Sequence, residues 1–321
     1  MALSSGLQVI AIEEHYWDAE LLSKLRAPEG QRSPDMLAKL HDLGALRIAA
    51  MDAAGVDMQV LSHGAPSGQG LPPDIAVETV RAANDRLHRA IALHPKRFAG
   101  FAALPTAHPE AAADELDRCV SELGLCGAMV HGLTDSVFLD DKRFWPIFAR
   151  AERLGVPIYL HPSVPHPQVM DVYYKDYVKD FPLVMRAAWG FTVEAATQAI
   201  RLVLSGVFEK HPGLQFILGH MGEALPFLLW RIDQALSRPG QERMSFRALF
   251  SEHFHITTSG HFSTPALMCV MTEMGIDRMM FAVDWPFVAN EPAMSWVESL
   301  QISQADKAKL LAGNAKKLLR I

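Results

Sequence analysis

Cysteine is scarce: Cys119, Cys126 and Cys269 are the only three in 321 residues. No two of them form a CxxC pair, which excludes a secreted disulfide framework and a structural cysteine metal site, and leaves reduced, core-filling thiols of a cytoplasmic protein as the expectation. An excess of positive charge is also lacking. Lys plus Arg number 30 against 36 Asp plus Glu, a formal net charge of -6, and no cluster of cations is present that would follow a phosphate backbone. Nucleic acid is therefore not an expected partner. Long apolar runs are missing too: "MALSSGLQVIAIEEH" has no basic leading region and its apolar run is broken by glutamates, so neither a secretion signal nor a membrane anchor is expected there. No Ser/Gly-rich or Pro-rich linker and no close internal repeat divides the chain, which predicts a single domain over 1–321.

What is present is half apolar residues, ample for a large core. Short apolar, β-branched-rich runs recur eight times: "LQVIAIEEH", "VDMQVLSHG", "RFAGFAALP", "CGAMVHG", "VPIYLHP", "LQFILGHMG", "FHITTSG" and "RMMFAVDWP". Helix-like stretches with apolar residues three and four apart lie between most of them, such as "PEAAADELDRCVSEL" and "DKRFWPIFARAERLG". Continuous rather than alternating apolar strands are expected where a parallel sheet is covered on both faces. Eight strand–helix units predict an α/β fold of the (β/α)8 barrel type, with a doubly wound open sheet as the competitor. The longest interruption, 163–195, is aromatic and Pro-containing at its start and reads as a lid or pocket wall.

Ionisable or metal-binding side chains stand at the carboxyl ends of at least five runs: Glu13 and His15, His131, His161, His220 and Asp284. In a barrel those ends converge on one mouth, so residues far apart in the chain become neighbours. Glu13 and His15 are two apart and share a strand face, which is expected to point inward while Glu14 points outward. Imidazole nitrogens and carboxylate oxygens without a thiolate suit a divalent ion such as Zn²⁺ or Mn²⁺. A strand ending at His220 and a helix starting near Met221 would bring Glu223 beside the imidazole, and Arg231 would lie two turns further on, at the surface or as an anchor for an anionic substrate. His94, His108 and His211 read as loop residues and His41 and His88 as helix-surface residues; His63, His166, His253, His255 and His261 are left open.

Taken together these residues resemble the amidohydrolase superfamily, in its branch of metal-dependent nonoxidative decarboxylases related to aminocarboxymuconate semialdehyde decarboxylase. The likeness is greatest to hydroxybenzoate decarboxylases of the γ-resorcylate (2,6-dihydroxybenzoate) type, carried over nearly the whole chain by "IAIEEH", "RFAGFAALP", "YLHP", "SGVFEKHPGLQFILGHMGEALPFLLWRID", "FHITTSGHF" and "DWPF". The resemblance implies one divalent metal, Mn²⁺ or Zn²⁺, bound by Glu13, His15, His161 and Asp284, with His220 and Glu223 as a functional pair beside it. It implies no second metal and no carbamylated lysine, since the fifth strand ends in "YLHP". A homodimer or homotetramer is expected on the same ground.

Two departures bear on the substrate. Where γ-resorcylate decarboxylases tend to have "VNG" this chain reads "VHG" at His131, and where they have "HPRNP" it reads "HPSVP". The expected substrate is accordingly a small 2-hydroxyaryl carboxylic acid whose ring substituents are not fixed. In the expected reaction the metal chelates the carboxylate and the ortho phenolate, Asp284 protonates the carboxyl-bearing carbon, CO2 leaves, and His220 with Glu223 relays protons. His131, Trp189, Arg231 and Phe287 are the expected substrate contacts. The competing reading is a hydrolase or hydratase of a lactone or unsaturated keto acid on the same barrel.

Overall fold

Eight short parallel strands form the frame: β1 Ile10–Tyr16, β2 Met58–His63, β3 Phe98–Gly100, β4 Ala128–His131, β5 Ile158–His161, β6 Phe216–Leu218, β7 Phe254–Thr257 and β8 Met279–Met280. The computed structural model describes residues 6–26, 32–236 and 245–321. Strands β1 to β3 pair in sequence order, as do β4 to β8. The two sets meet at both seams. At one, Ala102 bridges Ala128 in parallel, with the Ala102 amide donating to the Gly127 carbonyl at 2.9 Å. At the other, the Ile12 amide donates to the Phe281 carbonyl at 3.0 Å, so β8 returns to β1 and the ring of strands is complete.

Two apolar layers follow from the pleat. Ile10, Ile12, Val60, Phe101, Met129, Tyr159, Ile217 and Met280 pack together inside the ring. Their strand neighbours Ala11, Leu61, Phe98, Val130, Leu160 and Phe254 turn outward into the larger layer beneath the helices. The last helix, Asn314–Leu319, sends Ala315 and Leu319 into the inner cluster and so plugs the amino-terminal end of the barrel. The carboxyl-terminal end is left for polar side chains. No helix among the described residues is long and apolar enough to cross a membrane.

The long interruption at 163–195 holds a short helix Pro167–Val169, a wide turn Met170–Tyr174 and a 3-10 turn Pro182–Met185 before the helix Gly190–Leu204 begins. Its side chains Val172, Tyr173, Tyr177, Phe181, Leu183 and Trp189 are exposed.

Gly127 sits at the β3–β4 seam with φ +149, and a Cβ there would collide with the Pro157 carbonyl oxygen. Gly127→Ala is therefore expected to lower the thermal unfolding midpoint by several degrees, as backbone strain at a crowded position costs of order 1–3 kcal/mol. An unchanged midpoint in a thermal melt would remove this seam from the account.

Candidate functional site

The site begins with an irregularity in β1. Ile10 and Ile12 face into the barrel, and strict alternation would send Glu13 outward and Glu14 inward. The register shifts between Ile12 and Glu14, because Ile12 faces Val60 and Glu14 faces the very next residue, Leu61. Glu13 is the extra residue of this bulge, at φ 120. The bulge reverses the alternation and turns Glu13 and His15 to the mouth. Glu14, expected to point outward, does face away from their carboxylate and imidazole, and it is fully buried there.

One ligand atom each from Glu13, His15, His161 and Asp284 lies within 4.8 Å of the others. His15 Nε2 is 3.2 Å from Asp284 Oδ1, and His161 Nε2 is 3.3 Å from Glu13 Oε1. Glu13 Oε1 and His15 Nε2 are buried yet have no hydrogen-bond partner. A buried acceptor left bare costs free energy, and a divalent cation bound by two imidazoles and two carboxylates would satisfy both atoms at once. The residues thus fit a metal ion.

The surroundings select which atoms are offered. Tyr159 Oη donates to Glu13 Oε2 and lies 2.7 Å from Thr257 Oγ1, so one carboxylate oxygen is held and the other is free. Gly219 permits this approach: a Cβ there would lie 2.8 Å from Glu13 Oε2. His15 Nδ1 is 3.2 Å from Ser62 Oγ, which leaves Nε2 for the site. Burial first, then the neighbouring His131 and His15, hold His161 well below the ordinary histidine range, so its ring is neutral. Its Nδ1 donates to the Pro162 carbonyl at 2.7 Å, and the lone pair is therefore on Nε2.

Asp284 has φ 72 and is partly open, its side chain 17% exposed. Burial works to raise its carboxyl, but the nearby imidazoles of His15 and His220 outweigh it and hold the group below the usual carboxylate range. His220 Nδ1 is 2.7 Å from Glu223 Oε1, while its Nε2 is 3.6 Å from Glu13 Oε1 and 3.9 Å from Asp284 Oδ2. Burial alone would lower His220; the charges of Glu223 and Glu13 overcome it and raise the imidazole well above its ordinary range. The expected proximity of His220 and Glu223 is present, but the route to it differs. His220 to Ala224 all have positive φ, a left-handed turn, and the helix starts only at Leu225. This conformation is disfavoured for residues with a Cβ and is held here by the tight packing around Gly222, where a Cβ would meet Pro226 at 2.8 Å.

Among the expected substrate contacts, Phe287 is at the site, its ring centroid 5.6 Å from that of His15. His131 is not open to a substrate. It is 1% exposed, its Nε2 donates to the His63 carbonyl at 2.9 Å, and its Nδ1 lies 3.0 Å from His161 Nδ1. Both ring nitrogens are thus engaged, Nε2 by the His63 backbone and Nδ1 by His161, which it braces from behind. Arg231 is exposed on the helix Leu225–Leu236, and no hydrogen bond or ion pair among the described residues joins it to His220 or Glu223. The left-handed turn shifts the phase of that helix from the one expected. Trp189, 53% exposed, stands just before the helix Gly190–Leu204 rather than packed at the cluster.

Two further residues near the centre, Tyr159 and Glu194, are not expected from the sequence. Glu194 is buried on the helix Gly190–Leu204, where its Oε1 accepts from Gln198 Nε2 at 2.7 Å and its Oε2 from the Ser163 amide at 3.4 Å. The signal available was its place on that helix's apolar face, four residues before Gln198. Burial pushes its carboxyl up to about 8, against those two hydrogen bonds.

A match to the amidohydrolase family model spans residues 12–321. The chain belongs to that family. It is 39% identical to a γ-resorcylate decarboxylase of Rhodococcus jostii strain RHA1, with 97% of this chain and 98% of the relative covered. Among solved structures it is similar to a dihydroxybenzoic acid decarboxylase from Polaromonas sp. JS666 with bound manganese and the inhibitor 2-nitroresorcinol, at 38% identity and TM-score 0.89, covering 98% of this chain and 97% of that one. It is also similar to a 5-carboxyvanillate decarboxylase from Sphingomonas paucimobilis, at 33% identity and TM-score 0.91, covering 98% and 100%. These full-length matches agree with the amidohydrolase-type barrel expected from the eight strand ends.

The raised carboxyl of Glu194 has a sign that can be checked. Between the ordinary carboxylate value and about 8 the folded chain holds a proton that the unfolded chain has lost, so this group's contribution to stability falls as pH rises through that window. Glu194→Gln removes the titration. Its unfolding midpoint relative to the parent is expected to rise progressively from about pH 5 to about pH 8.5. A difference that stays constant across a series of buffered melts would contradict the assignment.

Proposed function

We propose that this chain is a metal-dependent, nonoxidative decarboxylase of a 2-hydroxyaryl carboxylic acid of the γ-resorcylate kind. The observation that carries the reading is the buried, partnerless Glu13 Oε1 and His15 Nε2 facing His161 and Asp284 at the barrel mouth. Its support is the full-length likeness to hydroxybenzoate decarboxylases, one of them solved with manganese and a resorcinol-type inhibitor.

Glu13, His15, His161 and Asp284 would hold the ion. When bound, it supplies positive charge and a fixed chelation point for the substrate's carboxylate and ortho phenolate oxygens. The remaining work falls to the chain. Direct loss of CO2 would leave an in-plane aryl anion that the ring cannot delocalise, so a proton must first reach the carboxyl-bearing carbon. Asp284 faces the opening and delivers it. Because His15 and His220 hold Asp284 ionised at rest, its proton comes from the His220 imidazolium, whose Nε2 is 3.9 Å from Oδ2. Glu223 keeps that imidazole charged. With the new C–H bond made, the bond to the carboxyl carbon breaks, its electron pair restores the aromatic ring, and CO2 departs. Phe287 provides an apolar wall beside His15 for a flat ring, and 163–195, which follows closely on His161 at the carboxyl end of β5, is assigned as the outer wall of the pocket.

Manganese or zinc is assigned as the ion, on the donor set. The small number of cysteines, with Cys119, Cys126 and Cys269 unpaired, supports a cytoplasmic home. The exposed Tyr173, Tyr177, Phe181, Phe227 and Trp230 support assembly into a homodimer or homotetramer.

Protein stripped with chelator and reloaded with Mn²⁺ is expected to release CO2 from at least one of 2,6-, 2,3- and 2,4-dihydroxybenzoate and 5-carboxyvanillate, and to lose that activity on re-stripping. Silence across the panel with ion bound would transfer the reading to the hydrolase or hydratase. Asp284→Asn is expected to reduce kcat by about 100-fold or more, the usual scale for losing a positioned acid. Full turnover in a folded, loaded Asp284→Asn protein would contradict its role as proton donor.

A further inference from the structure

Two amides flank Asp284, those of Val283 and Trp285, and both donate to the same side chain. Glu14 Oε1 accepts from the Val283 amide at 2.9 Å and Glu14 Oε2 from the Trp285 amide at 3.1 Å. We propose that Glu14 is a positioning residue: its carboxylate clamps the backbone on either side of Asp284 and so fixes where the Asp284 carboxylate stands in the metal centre. The proposal rests on the reading of Asp284 as an ion ligand. It assigns to the second glutamate of "EEH" a task separate from that of the first.

Three observations support a clamp rather than ordinary core filling. First, Asp284 holds φ 72, a left-handed conformation that Asp reaches more easily than most residues with a Cβ but that becomes its single conformation when its surroundings impose it. A carboxylate bridging the amides before and after is such an imposition. Second, Glu14 is itself fixed. Gln59 Nε2 reaches its Oε2 at 3.5 Å, and Gln59 Oε1 accepts from Arg47 Nη1 at 3.1 Å. Arg47 is fully buried and stacks its guanidinium 4.2 Å from the Trp285 ring centroid. Third, the same framework holds the other ligand segment. Arg47 Nη2 donates to the His15 carbonyl at 2.6 Å, and the His15 amide donates to the Trp285 carbonyl at 2.6 Å. Glu14, Gln59 and Arg47 therefore tie the backbone of His15 to that of Asp284, two ligands from opposite ends of the chain. Burying a glutamate and an arginine is costly unless both are fully hydrogen-bonded, and the bonds here are spent on the two ligand-bearing segments.

The test is Mn²⁺ affinity of chelator-stripped protein, followed by the EPR signal of the free ion, for the parent, Glu14→Gln and Glu14→Asp. A glutamine has only one acceptor to offer two amides, and an aspartate keeps both acceptor oxygens but is too short to span them. Both variants are expected to bind Mn²⁺ about 10-fold or more weakly, the scale found when groups supporting a ligand are removed. In the loaded enzymes kcat should fall with KM little changed. Phe250→Leu, a core change in the Phe250–Phe254 stack with centroids 4.6 Å apart, serves as a stability control and is expected to keep parental affinity despite a lower melting point. Folded Glu14 variants with Mn²⁺ affinity within twofold of the parent would overturn the clamp; should Glu14→Gln not fold, Glu14→Asp alone decides by the same criterion. Ion affinity is measured without substrate. A chain that releases no CO2 from any arene would therefore sink the decarboxylase reading while leaving this result interpretable.

Discussion

In β1 the chain inserts one residue, Glu13, that its partner strand does not match. Without that insertion the inward face established by Ile10 and Ile12 would continue to Glu14, and Glu13 and His15 would lie against the helices. With it, a carboxylate and an imidazole enter the mouth together and the next carboxylate is turned into the wall. The remaining parts of the centre answer to this arrangement. Tyr159 holds one oxygen of Glu13, Gly219 leaves room for that carboxylate, and His161 and His220 approach the oxygen left bare. The doublet of glutamates is thus two functions written side by side, one toward the ion and one toward the backbone that carries Asp284.

Strain is concentrated at the same end of the barrel. Glu13, Asp284 and the turn His220–Ala224 all have positive φ, and each contributes to the polar mouth. For the residues with a Cβ these conformations are unfavourable in isolation, by up to about 1–3 kcal/mol each and least for Asp284, while Gly222 adopts its own freely. They persist because the two apolar layers below hold the strand ends in place, inner residues such as Ile12 and Tyr159 against outer ones such as Leu61 and Phe254. The stable end of the barrel, plugged by Ala315 and Leu319, supports an end selected for chemistry.

How far the sequence could be read follows the length over which each signal extends. Strand ends were legible because apolar runs stop at chemically distinct residues, and the gathering of Glu13, His15, His161, His220 and Asp284 at one mouth needed only the parallel ring. The family likeness was legible because its motifs span the chain. Side-chain direction was not. His131 ends a strand just as His161 does, but its two ring nitrogens are used by His63 and His161, a matter of contacts across 68 and 30 residues of chain. A helix starting near Met221 leaves Arg231 either at the surface or as an anchor; the left-handed turn delays that helix to Leu225, and Arg231 stands exposed on it. Glu13 and His15 do point inward and Glu14 outward as alternation from Glu13 implies, but the bulge that sets this phase against Ile10 and Ile12 leaves no mark in composition. The 163–195 stretch was recognised as an interruption, and Glu194 at its end was hidden by being one acidic residue in a helix.

One divalent-ion site per chain is what these side chains are arranged to form. Counting Mn²⁺ bound to chelator-stripped protein, in the parent and in Glu13→Gln, tests this. One tightly bound ion per chain is expected in the parent and marked weakening in the variant, since Glu13 Oε1 is the atom that His15, His161 and His220 surround. Absence of stoichiometric binding in the parent, or binding indifferent to Glu13→Gln, would contradict it.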